Sequence, residues 1–430
     1  MKYNTKITNL DEFYQTLYSV PSRVTREIAT PQSVTQKLLE KLGNPEQSIR
    51  SILITGSKGK GSSAIMLSAL LKETGLKVGL FSSPHLFDYR ERIVINGVMI
   101  SERDLLLYAK RVFTAANELD ISHDDEFPRF FEITTAIAYL YFYEKGVDYA
   151  VIEAGIGALT DATNQKAHCL SVLTNIEGEH LDIFDNIENV ATEKSGVMRQ
   201  GIPLILGDLP ENIDQIILDT AYDLSVPVIR LRENFLKNNN GFYPVPIGSE
   251  VWISDSKTKA QNAWIALTAF NQLGETLSDT DKVSVFNQLT IPARKEIVSQ
   301  KPLIIIDSAH TKESAKSLAN YVAKSITKPV RKKIVLVSFS ASKNIEPVMQ
   351  AFLDSDEVII TKATQTRSLS PESIQEQIKQ LAILNKKTKI TLIEDPITAL
   401  NKTQEKLDTD DVLVITGSVY LAGLLSQQFR

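Results

Sequence analysis

Cysteine is almost missing from this chain: Cys169 is the only one in 430 residues. One thiol closes no intrachain disulfide and builds no cysteine-based zinc site, which fits a reducing compartment. No apolar run reaches the roughly 18–20 residues of a membrane span. The start, Met1 to Leu10, is polar and has no apolar core of signal-peptide length. A cytoplasmic location is therefore expected. Positive charge is not in excess either. The formal net charge is -5 and no basic stripe is visible, which argues against nucleic acid as a partner. Any phosphate binding must then come from local backbone geometry. Tandem repeats and low-complexity segments are also missing. What remains is 43% hydrophobic and 23% charged, the balance of a soluble globular protein. At this length two domains are expected, because single cores stop growing near 250–300 residues.

The stretch Ser51-Ile52-Leu53-Ile54-Thr55-Gly56-Ser57-Lys58-Gly59-Lys60-Gly61-Ser62-Ser63 carries the strongest signal. β-Favouring apolar residues end abruptly in glycines, lysines and hydroxyls. Ala64 to Leu71 then reads as a helix with a wide apolar face. Strand, glycine loop and helix form the setting of a phosphate site. Glycines let backbone N–H groups turn toward phosphates, and the helix N-terminus adds partial positive charge. Lys60 can reach the β/γ-phosphates, and the Ser62 hydroxyl can face the phosphates or Mg²⁺. The spacing differs from the common Gly-x4-Gly-Lys-Ser/Thr, since Gly61 separates Lys60 from Ser62.

Further strands end in chemistry-bearing residues. Lys77 to Phe81 runs into Ser82-Ser83-Pro84-His85, and Tyr149 to Glu153 ends in a carboxylate. Leu170 to Thr174 leads to Asn175-Ile176-Glu177-Gly178-Glu179-His180. Parallel sheets place ligands at strand C-termini, so Glu153, Glu179 and His180 are expected beside the phosphate loop. Carboxylates facing a triphosphate suggest Mg²⁺, which prefers oxygen ligands; the other reading of His180 is an ordinary loop histidine. Tyr89 to Val98 reads as a hairpin with an Asn96-Gly97 turn. Phe130 to Lys145 is apolar nearly all round, with Glu132 facing either a cleft or the solvated rim. Ile187 to Met198 reads as a helix carrying Glu193-Lys194-Ser195-Gly196, Val226 to Ile229 as a short strand, and Lys259 to Leu273 as a helix bearing Asn262. Phe235 to Ser254 reads as β-hairpins or a peripheral flap. The domain boundary falls around Leu289 to Arg294. Strands then follow at Leu303–Asp307, Lys333–Phe339, Val358–Thr361, Lys389–Ile393 and Val412–Thr416, a second α/β unit with a mostly parallel sheet.

This order of motifs resembles the folylpolyglutamate synthase/dihydrofolate synthase family of the Mur ligase superfamily. The resemblance runs along nearly the whole chain. Thr55 to Ser62 is similar to the family's Thr-Gly-Thr-Asn-Gly-Lys-Gly-Ser. Ser83-Pro84-His85-Leu86, Glu91-Arg92-Ile93, Phe131-Glu132, Asp161-Ala162-Thr163-Asn164, Glu193-Lys194-Ser195-Gly196, Pro292-Ala293-Arg294, Asp307 with Ala309-His310, and Thr416-Gly417-Ser418 follow at family-like positions. The fold implied is an N-terminal P-loop Mur-ligase-type ATPase domain, residues 1–293, and a C-terminal Rossmann-like ligase domain, residues 294–430.

The resemblance also implies roles. Gly56, Ser57, Lys58, Gly59, Lys60, Gly61 and Ser62, with Asn262 and Arg294, would bind ATP. Ser83, Glu153 and His180 would hold Mg²⁺, with two metal sites expected. Lys194 matches the family's carbamylated lysine, Asp307 and His310 the residues that close on the substrate side, and Ser418 a residue implicated in glutamate binding. The reaction implied is ATP-dependent addition of L-glutamate to a folate or pteroate carboxylate, through an acyl phosphate, by a monomer with small-molecule substrates only. Such chemistry needs no nucleophilic side chain, and none is evident. The departures lie mainly on the substrate side. Lys58 replaces the loop asparagine, which adds a second cation beside the phosphates, and Glu177-Gly178-Glu179 replaces the usual residues before the histidine. Thr311-Lys312 replaces Asn-Pro, and Ser342-Lys343-Asn344 replaces Asp-Lys-Asp. Two alternatives stay open: a paralogue acting on a non-folate acid, and a non-ligating nucleotide-binding regulator.

Overall fold

Ile52, Leu53 and Ile54 are buried because their strand, β1 (Arg50–Thr55), lies inside a sheet with a neighbour on each side. Each such side chain contributes about 1.5–3 kcal/mol by leaving water. The computed structural model describes residues 1–21, 30–165, 168–178, 181–231, 243–254, 256–340, 345–364, 368–380 and 388–429. Contacts divide the chain into two units. One is Met1–His85 with Tyr89–Leu289, the other Leu86–Asp88 with Thr290–Arg430.

The first unit is built on eight strands. After β1 come β2 (Val78–Phe81), β3 (Ile93–Ile95), β4 (Val98–Met99), β5 (Tyr149–Glu153), β6 (His168–Leu173), β7 (Leu204–Leu206) and β8 (Val228–Arg230). Their order is β4-β3-β2-β5-β1-β6-β7-β8. Only the β2–β3 and β3–β4 pairings in this sheet are antiparallel, and β3 and β4 form a hairpin. They are joined at Asn96 and Gly97, both with positive φ, as a tight hairpin turn requires. The sequence reading began this hairpin at Tyr89, but Tyr89–Arg92 forms a 3₁₀ turn. The helix Phe130–Lys145 is buried without a break from Glu132 to Phe142 and stops at left-handed Gly146. The helix expected over Ile187 to Met198 ends at Ser195, and β8 sits slightly later than Val226 to Ile229. Part of the Phe235–Ser254 stretch lies outside the described residues. The rest is a hairpin of β9 (Tyr243–Ile247) and β10 (Glu250–Ser254).

The second unit holds a six-stranded sheet of β11 (Glu296–Gln300), β12 (Leu303–Ile306), β13 (Lys333–Val337), β14 (Glu357–Ile360), β15 (Lys389–Leu392) and β16 (Val412–Thr416), in the order β11-β12-β16-β13-β14-β15. All but β11 are parallel. Alternate residues feed opposite faces. Ile305, Val335 and Val337 pack into one apolar cluster, and Ile304, Ile306 and Leu336 into the other. Burial on both faces explains why these strands read as unbroken apolar runs. β11 escaped the sequence reading. It is half-buried, and its register with β12 shifts between Ile297 and Ser299, so it shows no clean alternation.

Candidate functional site

β1 ends between β5 and β6, with Ile54 paired to Glu153 and Thr55 to Leu173. That register brings Glu153 and Thr174 to the flanks of the loop Gly56–Gly59. The loop turns into the helix Lys60–Glu73 at Gly59, whose φ is +84°. A Cβ there would also lie 2.3 Å from Asn262 Oδ1. The helix Lys257–Gln272 carries Asn262, packs on the helix Lys60–Glu73, and so sets its amide against the loop. Lys60 folds back, and its Nζ donates to the Gly56 carbonyl at 2.7 Å. Lys194 Nζ donates to the same oxygen at 3.1 Å.

Lys194 is 1% exposed. Adjacent in sequence, Glu193 and Lys194 are both buried and serve two different tasks. Glu193 Oε1 accepts from the Thr160 N–H and hydroxyl, both at 2.9 Å, and holds the 158–160 turn. The neighbouring Asp161 is buried, which pushes its carboxyl above the usual range; the Thr163 hydroxyl and amide oppose the shift. Glu132 is buried, so the solvated-rim reading is excluded.

The loop is clamped along one side by the end of β6. Ser57 N–H donates to the Asn175 carbonyl at 2.9 Å, and Lys58 N–H to Asn175 Oδ1 at 2.7 Å. Thr174 Oγ1 donates to the Lys58 carbonyl at 2.6 Å. The Lys58 ammonium, expected as a second cation beside the phosphates, is instead 2.6 Å from Glu177 Oε2. Sequence reasoning missed this pair, although both residues depart from the family pattern. Beside it opens a cleft of about 450 Å³ lined by Lys58, Glu177, Asp208, Gln261, Asn262 and Trp264, among others. Gln261, Asp208 and Trp264 were not singled out from the sequence. Helical spacing around Asn262 was the available signal for Gln261 and Trp264, and the end of the strand at Leu206 the signal for Asp208.

Glu153 is buried, and its Oε2 accepts the Ser83 N–H at 2.8 Å. The same oxygen lies 3.1 Å from where a Cβ on Gly61 would stand. Two of the three expected metal ligands, Ser83 and Glu153, are thus together, next to half-buried Ser62 in the first helical turn. His180 and Glu179 lie outside the described residues. Among the described residues no group of three His, Cys, Asp or Glu side chains converges as a metal cluster. The donors present are a carboxylate and hydroxyls, which suits an oxygen-seeking cation such as Mg²⁺ that keeps several waters.

The remaining expected residues lie in the second unit, at the ends of neighbouring β12 and β16. Arg294 Nη1 donates to Ser308 Oγ at 2.6 Å. Asp307 Oδ2 accepts the Lys295 N–H and Oδ1 the Ala309 N–H, each at 2.7 Å. Burial pushes the Asp307 carboxyl up, and the Arg294 charge opposes this. His310 Nδ1 lies 2.8 Å from the Ser308 carbonyl. Ser418 is buried and caps the helix Val419–Ser426, its Oγ accepting the Tyr420 N–H at 3.2 Å.

Residues 54–203 match the Mur ligase middle domain, and residues 293–419 the Mur ligase glutamate ligase domain. The chain is 28% identical over 414 residues to the dihydrofolate synthase/folylpolyglutamate synthase of Bacillus subtilis, covering 92% of this chain and 94% of that one. It is 28% identical over 415 residues to the folylpolyglutamate synthase of Lacticaseibacillus casei, covering 91% and 92%. Among solved structures, folylpolyglutamate synthase from Thermotoga maritima superposes with a TM-score of 0.80 at 28% identity, over 97% of this chain and 96% of that one. Mycobacterium tuberculosis folylpolyglutamate synthase complexed with ADP and AMPPCP gives 0.81 at 25% identity, over 98% of both.

Proposed function

Since the chain belongs to the Mur ligase superfamily, and within it to the folylpolyglutamate synthase/dihydrofolate synthase family, we propose that it uses ATP to join L-glutamate to a folate or pteroate carboxylate. One observation carries the reading: Lys60 and Lys194 converge on the Gly56 carbonyl at the end of β1, with Glu153 on the adjacent strand. A non-ligating nucleotide binder has no need of the buried Lys194 and Glu153 beside the phosphate loop.

The substrate carboxylate oxygen attacks the γ-phosphorus of ATP, and the bond to the β,γ-bridging oxygen breaks to release ADP. The glutamate α-amine then attacks the acyl carbon and loses a proton, and phosphate leaves. Charge on the transferring phosphoryl group is spread over its equatorial oxygens. Lys60, freed from the Gly56 carbonyl, and the N–H groups of Gly59 to Ser62 at the start of the helix are placed to neutralise it. Asn262 and the cleft beside it take the rest of the nucleotide. Arg294 is assigned to the nucleotide as well. Ser83, Glu153 and His180 are the residues assigned to a divalent cation. When bound, that cation supplies further charge neutralisation at the phosphates.

Lys194 is assigned a carbamate. A neutral amine adds carbon dioxide and releases one proton, so the cation becomes an anion able to serve a second metal site. Burial is the condition such a lysine needs, because it disfavours the ammonium form. In the second unit, Asp307 and His310 are assigned to the substrate side and Ser418 to glutamate. The proposed division of labour is an ATP-binding domain, 1–293, and a ligase domain, 294–430. The acyl phosphate hydrolyses in water, so catalysis calls for solvent exclusion while the amine attacks. We assign the chain as a monomer acting on small molecules in the cytoplasm. No helix among the described residues is long and apolar enough to cross a membrane.

ADP release measured across a matrix of pteroates, folates and amino acids tests the reading. Turnover is expected only when L-glutamate and a folate or pteroate are both present. ADP release that ignores the acceptor, or that needs a non-folate acid, overturns it.

A further inference from the structure

The Lys58–Glu177 ion pair has no part in the chemistry above. Both backbones are anchored. Lys58 is held through its N–H on Asn175 Oδ1 and its carbonyl under Thr174 Oγ1. The Glu177 N–H donates to Ser57 Oγ at 2.9 Å. The side chains are not enclosed, at 38% and 44% exposed. Glu177 Oε1 has a further contact from Asn175 Nδ2 at 3.3 Å, and Oε2 takes the Lys58 ammonium. Both side chains line the cleft that holds Asn262 and Trp264. Lys58 also precedes Gly59, the residue that opens the helix Lys60–Glu73, so its ammonium stands beside the loop that receives phosphates.

A lysine ammonium is a point charge on a flexible stem, so it changes partner without backbone movement. A phosphate chain seated on the loop carries more charge than a half-exposed carboxylate and forms stronger charge-assisted hydrogen bonds. Glu177, left unpaired, can turn to solvent. We propose that Glu177 is an internal competitor for Lys58, and that the pair opens when the phosphates of a nucleoside di- or triphosphate enter the loop. The consequence is a weaker hold on nucleotide, product ADP included, than the loop alone provides. This rests on the nucleotide reading of the cleft.

Calorimetric titration of the full chain with ADP tests it, on wild type, Glu177→Gln, Lys58→Met and the double variant. Exposed ion pairs are worth about 0.2–1 kcal/mol, so Glu177→Gln is expected to bind ADP roughly 1.5–5-fold more tightly. Lys58→Met is expected to bind ADP more weakly, and adding Glu177→Gln to it is expected to change nothing. Thermal melts accompany each titration; the amide keeps the shape of the carboxylate. An unchanged or weaker ADP Kd in Glu177→Gln overturns the competition. So does a tightening that persists in the Lys58→Met background. Wild-type protein that binds no ADP overturns the nucleotide reading itself, and the competition with it.

Discussion

The side chains of Lys60 and Lys194 share one acceptor, the Gly56 carbonyl oxygen, at 2.7 and 3.1 Å. A carbonyl has two lone pairs, so both bonds can form at once. The Lys60 ammonium meets a neutral oxygen there, at the mouth of the phosphate loop. An entering phosphate chain gives Lys60 the anionic partner it lacks there. Replacing Lys60 with alanine is expected to cut ligase turnover by on the order of 10²–10³, the usual loss of a transition-state donor. Circular dichroism is expected to stay unchanged, because the half-buried side chain packs little. Normal ADP release at saturating ATP would remove Lys60 from the chemistry.

Lys194→Ala is expected to lose most activity, and an added short-chain carboxylic acid to restore part of it. The acid takes the place of the missing carbamate in the space the buried side chain leaves. Intact mass of the wild type with and without bicarbonate gives a second readout, an increase of one carbon dioxide. A near-normal Lys194→Ala rate with no mass increase would assign Lys194 to loop support alone.

Trp264 lines the cleft, whereas Trp252 is buried with its indole N–H donated to Asn287 Oδ1 at 3.0 Å. Nucleotide binding is therefore expected to change tryptophan emission through Trp264 only. Titration of ADP into Trp264→Phe is expected to show no emission change. A signal that survives this substitution and disappears in Trp252→Phe would move the nucleotide to another surface.

His168 is buried in β6, with Nε2 3.1 Å from the Val197 carbonyl and Nδ1 3.4 Å from the Gln165 carbonyl. Burial, with the Arg199 charge adding to it, lowers its pKa from the usual 6.5 to about 4. The unfolded chain then binds the extra proton more readily than the folded one. Stability from this residue is fully present above the unfolded value and is lost as pH falls from about 6.5 toward 4. The slope is at most about 1.4 kcal/mol per pH unit. Urea unfolding across that range is expected to show a shallower slope for His168→Gln. Equal slopes would mean that the imidazole takes up its proton as readily in the fold as in the unfolded chain.

Ser418 sits where one hydroxyl has two possible duties. As the cap of the helix Val419–Ser426, its loss to alanine is expected to cost about 1 kcal/mol of stability. As a glutamate contact, the same change is expected to raise KM for glutamate more than it lowers kcat. A melting shift without any KM change would leave capping as its whole role.

Much of this protein was legible in the residue order. The change from Ile52-Leu53-Ile54 to glycines and then to a helical apolar face marks strand, loop and helix, because each pattern suits only one backbone geometry. Asn96-Gly97 foretold its turn, since both positions need positive φ. The second unit's parallel strands announced themselves as apolar runs, because both faces are covered.

Tertiary structure decided which strand ends meet. β1 lies between β5 and β6, and that register alone sets Glu153 and Thr174 against the loop. Local pattern carries no record of such distant pairings. It shows Glu193 and Lys194 only as neighbours, whereas packing buries both and sends each to a different loop. Lys58 read as a free cation until the end of β6 brought Glu177 within 2.6 Å of it. A side chain's type is written in the sequence, but its partner is set by which backbones the sheet holds together.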